Sequence, residues 1–226
     1  METKVALGEE VAGYTLVVPS VSIGNTAQLA VDLLTETFEY QVETQARHNA
    51  VLPFAGPKDE GASNAIVTEM QVHVSHTHKL VVLQIRSAIA RQRREEFVQD
   101  LFKWIQSKSF GRTLLLTSTD AMHRIDSQLE GSPLRALSTT DDSSTYAPLK
   151  TLELHTDSAL PNSVFLPGGG FARQLFLNAL EVDLPMTLVS IFTGPGDNTM
   201  QAHMLGLRVP SSWKLLFGRG FGPGLF

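Results

Sequence analysis

Apolar residues fall along this chain in two rhythms. The first is a set of short unbroken runs, from Tyr14 to Val18, Leu80 to Leu83, Thr113 to Thr117 and Met186 to Phe192. Runs of this length predict strands covered on both faces, as in the middle of a parallel sheet. The second rhythm has the helical period. Ala27, Ala30, Val31, Leu34 and Phe38 form one stripe, and Phe97, Leu101, Trp104 and Ile105 form another, within a helix expected from about Arg93 to Lys108. Asn25, with Gln28 three residues on, predicts a capping box for the first helix, and Gly111 marks the end of the second. A shorter helix holds Phe171, Leu175 and Phe176, just after the turn Pro167-Gly168-Gly169-Gly170. Strands alternating with helices predict one domain over residues 1–226, a three-layer α/β/α sandwich with a mostly parallel central sheet.

Between these elements the pattern weakens. Ile66 to Val74 alternates imperfectly, which predicts a half-exposed strand. Ser75 to Lys79 then reads as a hairpin turn into a strand over Leu80 to Arg86. Gln41 to Ser63 loses its periodicity and is broken by Pro53, Gly56, Pro57 and Gly61. Asp120 to Leu160, rich in Ser, Thr and Asp, reads as a long surface excursion with disorder expected over Thr139 to Thr145. Gly194 to Asn198 turns the chain into a short helical segment, with Asp197 and Asn198 as its cap. Pro210 opens a tail expected to be flexible from about residue 218.

Composition narrows the function. The 226 residues carry a formal net charge of −5, and the only dense basic cluster, Arg91, Arg93 and Arg94, runs into Glu95 and Glu96. Phosphate backbones demand clustered positive charge, so no nucleic-acid partner is expected. No apolar run reaches the length of a membrane span, and the start Met-Glu-Thr-Lys does not read as a secretory signal. An intracellular protein follows as the expectation. The chain has no cysteine, which removes disulfides, thiolate metal sites and cysteine nucleophiles.

Candidate chemistry is thin. His73, His76 and His78 cluster, but no Asp, Glu or Cys lies among them to complete a zinc set, and in an extended chain His73 points away from the other two. Solvated histidines at a turn are the expectation. Gly168 to Gly170 precedes a helix without the Lys-Ser/Thr of a phosphate loop or the spaced glycines of a dinucleotide site, so it reads as a tight turn. There is no Gly-x-Ser-x-Gly elbow. No catalytic residue, metal or cofactor is expected. The end of the chain is unusual, because Trp213 to Phe217 is apolar and the closing Leu225-Phe226 follows a Gly/Pro-rich stretch. The first of these is expected to fold back over an apolar face. Trp213, Leu225 and Phe226 are the candidate partner-binding residues, since aromatic anchors dominate such contacts.

Three stretches together resemble the proteasome assembly chaperone 2 family. They are Pro19 to Leu34 (Pro-Ser-Val-Ser-Ile-Gly-Asn-Thr-Ala-Gln-Leu-Ala-Val-Asp-Leu-Leu), Leu166 to Gly170, and Pro210-Ser211-Ser212-Trp213-Lys214-Leu215-Leu216-Phe217-Gly218 with the closing Leu225-Phe226. The resemblance implies a phosphorylase-like architecture without an active site, and a heterodimer with proteasome assembly chaperone 1. It also implies binding to proteasome α-type subunits during α-ring formation, in the cytoplasm and nucleus. Family tails end in a hydrophobic residue, a tyrosine and any residue, whereas this chain ends Gly224-Leu225-Phe226. The segment from Thr199 to Val209 is shorter than in the family, either as a lineage feature or as an incomplete form. The alternative to the chaperone is a nucleoside or phosphate enzyme on the same fold, for which fold analogy is the only support.

Overall fold

The computed structural model describes residues 11–57, 66–130, 132–140, 150–151, 154–157 and 160–203. In chain order the strands begin with β1 (Thr15–Pro19), β2 (Val42–Ala46), β3 (Ala55–Pro57), β4 (Ile66–Thr68), β5 (Met70–Ser75) and β6 (Leu80–Ile85). They continue with β7 (Arg112–Asp120), β8 (Leu134–Ser138), β9 (Lys150–Thr151), β10 (Leu154–Asp157), β11 (Leu160–Val164) and β12 (Met186–Thr193). The helices are α1 (Thr26–Thr37), α2 (Arg94–Ser107), α3 (Ala172–Glu181) and α4 (Thr199–His203).

Eight strands form one sheet in the order β2-β5-β6-β1-β7-β12-β8-β9. Its centre, β6-β1-β7-β12, is parallel throughout. Antiparallel β5 and β2 extend one side, and antiparallel β8 the other. The unbroken apolar runs became the central strands because both of their faces are covered. Val17, Val82, Leu114 and Leu116 face Val31 and Leu34 of α1. The alternate residues Leu16, Val18, Val81, Leu83, Leu115 and Leu188 join Phe97 of α2 and Leu175 of α3 in the larger core. Helices therefore lie on both faces, as the alternation of elements predicted. The Phe97 and Phe171 rings meet edge-on at 5.4 Å between centroids and tie α2 to the start of α3. Each such buried aromatic or aliphatic side chain contributes roughly 1.5–3 kcal/mol of transfer free energy.

Several expectations need correction. Asn25 precedes α1 but sits in the left-handed region (φ 52°) and makes no side-chain cap. Gln28 instead donates from Nε2 to the carbonyl of Ile85 at 2.9 Å, so there is no capping box. The left-handed residue after α2 is Ser109, not Gly111. The aperiodic stretch after Gln41 contains β2, an edge strand with mostly exposed side chains. β5 is buried at all six positions and is not half-exposed. Part of the expected surface excursion is β8, which pairs with β12 and buries Arg135 and Ala136. The buried Arg135 is tolerated because its guanidinium donates to the carbonyls of Ser132, Leu134 and Gln128. The tail from residue 204 lies outside the described residues, and so do Trp213, Leu225 and Phe226. No helix among the described residues is long and apolar enough to cross a membrane.

Candidate functional site

In an open α/β sheet the place to look for a site is the carboxyl end of the strands, where successive crossovers diverge to opposite faces. Here the chain leaves β1 for α1 on one face, whereas α2 and α3 lie on the other. The carboxyl ends of β1 and β7 form that crevice, and three loops converge on it: residues 20–25, 167–171 and 194–198.

Hydroxyl groups clasp the first two loops. Ser20 Oγ donates to the Gly169 carbonyl at 2.8 Å and accepts from the Phe171 amide at 3.1 Å. Thr117 Oγ1 reaches the same carbonyl at 3.0 Å. Ser22 and Ser118 hydroxyls meet at 2.7 Å, and Ser118 Oγ donates to the Ile23 carbonyl at 2.5 Å. Backbone bonds from Ile23 to the Gly168 carbonyl (2.8 Å) and from Asp120 to the Pro167 carbonyl (2.9 Å) complete the closure. Gly170 has φ +65°, and a Cβ there would stand 2.1 Å from the Val21 carbonyl oxygen. The glycine run is thus a close-packed turn and not an anion cradle.

The third loop is locked by Asn198, buried at 3% exposure. Its Nδ2 donates to the carbonyls of Gly194 and Gly196 at 3.0 Å and of Gly24 at 3.4 Å, while its Oδ1 accepts from Thr193 Oγ1. A Cβ on Gly24 (φ +68°) would collide with this side chain. Asp197 caps α4, accepting from the amide and hydroxyl of Thr199 at 2.9 and 2.5 Å. The expected Asp197/Asn198 cap therefore divides into two jobs. The crevice is filled by the chain's own hydroxyls and amides, each turned inward on backbone.

The clustered histidines are dispersed. His73 lies in β5, buried, with Nε2 2.8 Å from Gln84 Oε1 and its ring edge-on to Tyr40 at 5.5 Å. It is not a solvated turn residue. Gln84 Nε2 donates to Asp32 Oδ1 at 2.5 Å, which leaves Oε1 as acceptor and makes His73 Nε2 the donor. His76 and His78 occupy the β5–β6 turn, against the Tyr14 hydroxyl (3.1 Å) and the Phe38 ring (5.0 Å). Sequence spacing did not reveal a different trio, His48, Glu96 and Asp100, with donor atoms within 4.8 Å of one another. His48 Nδ1 accepts from the Ala50 amide, so Nε2 carries the proton toward Asp100 at 3.2 Å. Arg93 holds both Glu96 oxygens. The trio pins the 47–50 loop to α2.

Beside the clasp, the turn after β7 presents apolar side chains to solvent. Met122 is 87% exposed, Leu129 59% and Ile125 43%. Phe165, also exposed, meets the His123 ring at 5.9 Å between centroids.

Comparison with known proteins gives a consistent picture. The family model described as the PAC2 family matches residues 16–189. The chain is 34% identical over 247 aligned positions to proteasome assembly chaperone 2 of Danio rerio, covering 95% of each protein. It is 33% identical to that of Xenopus tropicalis, covering 94% of this chain and 95% of the other. Among solved structures, it is similar in fold to Pyrococcus furiosus PbaA, described as an archaeal homolog of proteasome-assembly chaperone. That match has a TM-score of 0.58 at 10% identity, over 90% of this chain and 86% of that one.

Proposed function

This chain belongs to the PAC2 family, and from that premise we propose that it is an assembly chaperone for the core proteasome that acts by protein–protein contact. The observation that carries the reading is the near full-length match to proteasome assembly chaperone 2 in both chains. The crevice between β1 and β7 supports it, because there the groups that could receive a substrate are bonded to the chain's own backbone. A reaction needs an acid, base or nucleophile aimed at open space. In this crevice the hydroxyls of Ser20, Ser22, Thr117 and Ser118 already have partners. The architecture reads as phosphorylase-like, with the substrate end closed by the clasp.

In this reading the protein pairs with proteasome assembly chaperone 1, and the pair holds α-type proteasome subunits while their ring forms. Trp213, Leu225 and Phe226 remain the tail candidates for that contact. Met122, Ile125, Leu129 and Phe165 add an apolar surface at the clasp end. A stable contact of this kind buries on the order of 1,600 Å² in total. The test is affinity capture of the tagged full chain from cells, with identification of co-purifying proteins. Recovery of α-type subunits and a second α/β chaperone is expected. Recovery of neither overturns the reading.

A further inference from the structure

Most of the described arginines settle their charge in one of three ways. Arg86 and Arg93 pair with the carboxylates of Asp32 and Glu96. Arg135 and Arg173 donate to backbone carbonyls. Arg47, Arg91 and Arg94 stand exposed to water. Arg124 does none of these. It is half-buried, and its Nε is closed off from water without a hydrogen-bond acceptor. Its guanidinium takes part in no ion pair among the described residues. Asp120, close by in sequence, turns its Oδ1 to the Met122 amide at 2.9 Å.

What Arg124 does have is an aromatic seat. Its Cζ lies 5.5 Å from the centroid of the Phe192 ring, and Arg135 brings a second positive charge to the same ring, at 5.2 Å. Phe192 is 8% exposed and is held in β12 in register with Thr119 of β7, so the ring is a fixed platform. A guanidinium stacked on such a ring is oriented in advance, and its fork of N–H groups matches the two oxygens of a carboxylate. Donors shut off from water are rarely left without an acceptor, because their lost hydration is not replaced.

We propose that Arg124, seated on Phe192, receives the carboxylate of an Asp or Glu side chain on a protein that this chain helps to assemble. The proposal rests on the chaperone reading above and adds to it the chemistry of one contact. Met122 and Ile125 lie close to Arg124 in sequence and are exposed. Apolar packing at such positions keeps water from an ion pair and strengthens it. A single seated guanidinium among apolar side chains is a poor match for a nucleic-acid backbone, which needs clustered cations.

The test uses the full chain as parent, Arg124→Gln and Arg124→Lys, against each proteasome component recovered in the capture experiment, with Kd measured at low and high salt. Arg124→Gln is expected to raise Kd at least about tenfold at low salt and to flatten its salt dependence. Arg124→Lys keeps the charge and is expected to recover part of the loss. A water-soluble carbodiimide joins amines, but not guanidines, to carboxylates. The lysine of Arg124→Lys is therefore expected to couple to an Asp or Glu of the partner, located by mass spectrometry of the cross-linked peptides, and the parent not to couple at that position. This arm holds even where Arg124→Gln folds poorly.

Equal Kd for the parent and Arg124→Gln, no coupling through position 124, or coupling only to a carboxylate of this same chain would overturn the proposal. Loss of parent binding after phosphatase treatment of the partner would overturn it in favour of a phosphoryl group. A parent chain that binds no proteasome component sinks the chaperone reading and this contact with it. A parent that binds while position 124 stays silent sinks the contact alone.

Discussion

The hydroxyl of Ser20 lies 2.8 Å from the carbonyl of Gly169, a bond between residues 149 positions apart. It joins the loop after the first strand to the turn before α3. Two segments that looked family-like in sequence, the one starting at Pro19 and the one ending at Gly170, turn out to be two halves of a single contact. Their residue types follow from that contact: a small hydroxyl residue on one side, and on the other a turn with no room for a side chain.

Gly170→Ala tests that lack of room. The added methyl would stand 2.1 Å from the Val21 carbonyl oxygen at a φ of +65°, so both loops must shift. A loss of at least about 2 kcal/mol is expected, from strain and broken clasp bonds together. Urea unfolding should show a lower midpoint with an unchanged slope. A midpoint equal to that of the parent protein would mean the clasp adapts freely.

Gln84→Leu tests the polar chain on the α1 face. Gln84 accepts from His73 and donates to Asp32, so its loss removes the hydrogen bond at Nε2 of a buried imidazole. Asp32 keeps Arg86 at 3.3 Å, which places most of the damage at His73. The expected destabilisation is about 1–3 kcal/mol, the penalty for an unsatisfied buried donor. Thermal melts of Gln84→Leu and of the double variant with His73→Phe check the assignment. The double variant should recover part of the loss.

Alkaline titration tests the burial of Tyr40. Desolvation pushes its phenol well above the ordinary value, and its hydroxyl donates to the Leu34 carbonyl at 3.2 Å. The unfolded chain would release this proton near pH 10, while the folded chain holds it. Stability from this group is therefore full below about pH 10 and falls as pH rises past that point toward the folded value. Phenolate absorbance should show one of the three tyrosines titrating only as the protein unfolds. Tyr40→Phe should remove that late component and flatten the alkaline loss.

Met122→Asp combined with Leu129→Asp tests the exposed surface beside the clasp. Both side chains are more than half exposed, so stability should change by less than about 0.5 kcal/mol per site. Recovery of α-type subunits or of the second chaperone in affinity capture should fall several-fold. Unchanged recovery at unchanged Tm would remove this surface from the set of contacts.

The parts of the fold legible in the sequence were those where burial is two-sided and apolar. β1, β6, β7, β12 and the stripe of α2 follow directly from residues such as Leu80 to Leu83 and Phe97, Leu101 and Ile105. What escaped was burial achieved by polar residues. Gln71 and His73 made β5 look half-wet, yet one bonds Glu43 and the other Gln84. Arg135 disguised β8, because a guanidinium that finds three carbonyls on its own loop cannot be told by spacing from a solvated one. β2 escaped for the opposite reason, since an edge strand with exposed side chains has no hydrophobic rhythm to read. At the site, the glycine turns were visible in the sequence, but not their partners, because Ser20 and Asn198 act across 149 and 174 positions.

The position of the clasp also sets an order of events during synthesis. Among the described strands of the main sheet β1 leaves the ribosome first, but its parallel neighbours begin at Leu80 and Arg112, and the turn that fastens its loop ends near Gly170. Asn198, which locks Gly24, emerges later still. Until those later elements emerge, β1 and α1 are an apolar strand and helix without the neighbours and loops that fasten them. Until β12 and Asn198 have appeared, the nascent chain exposes apolar surface of the kind that chaperones shield.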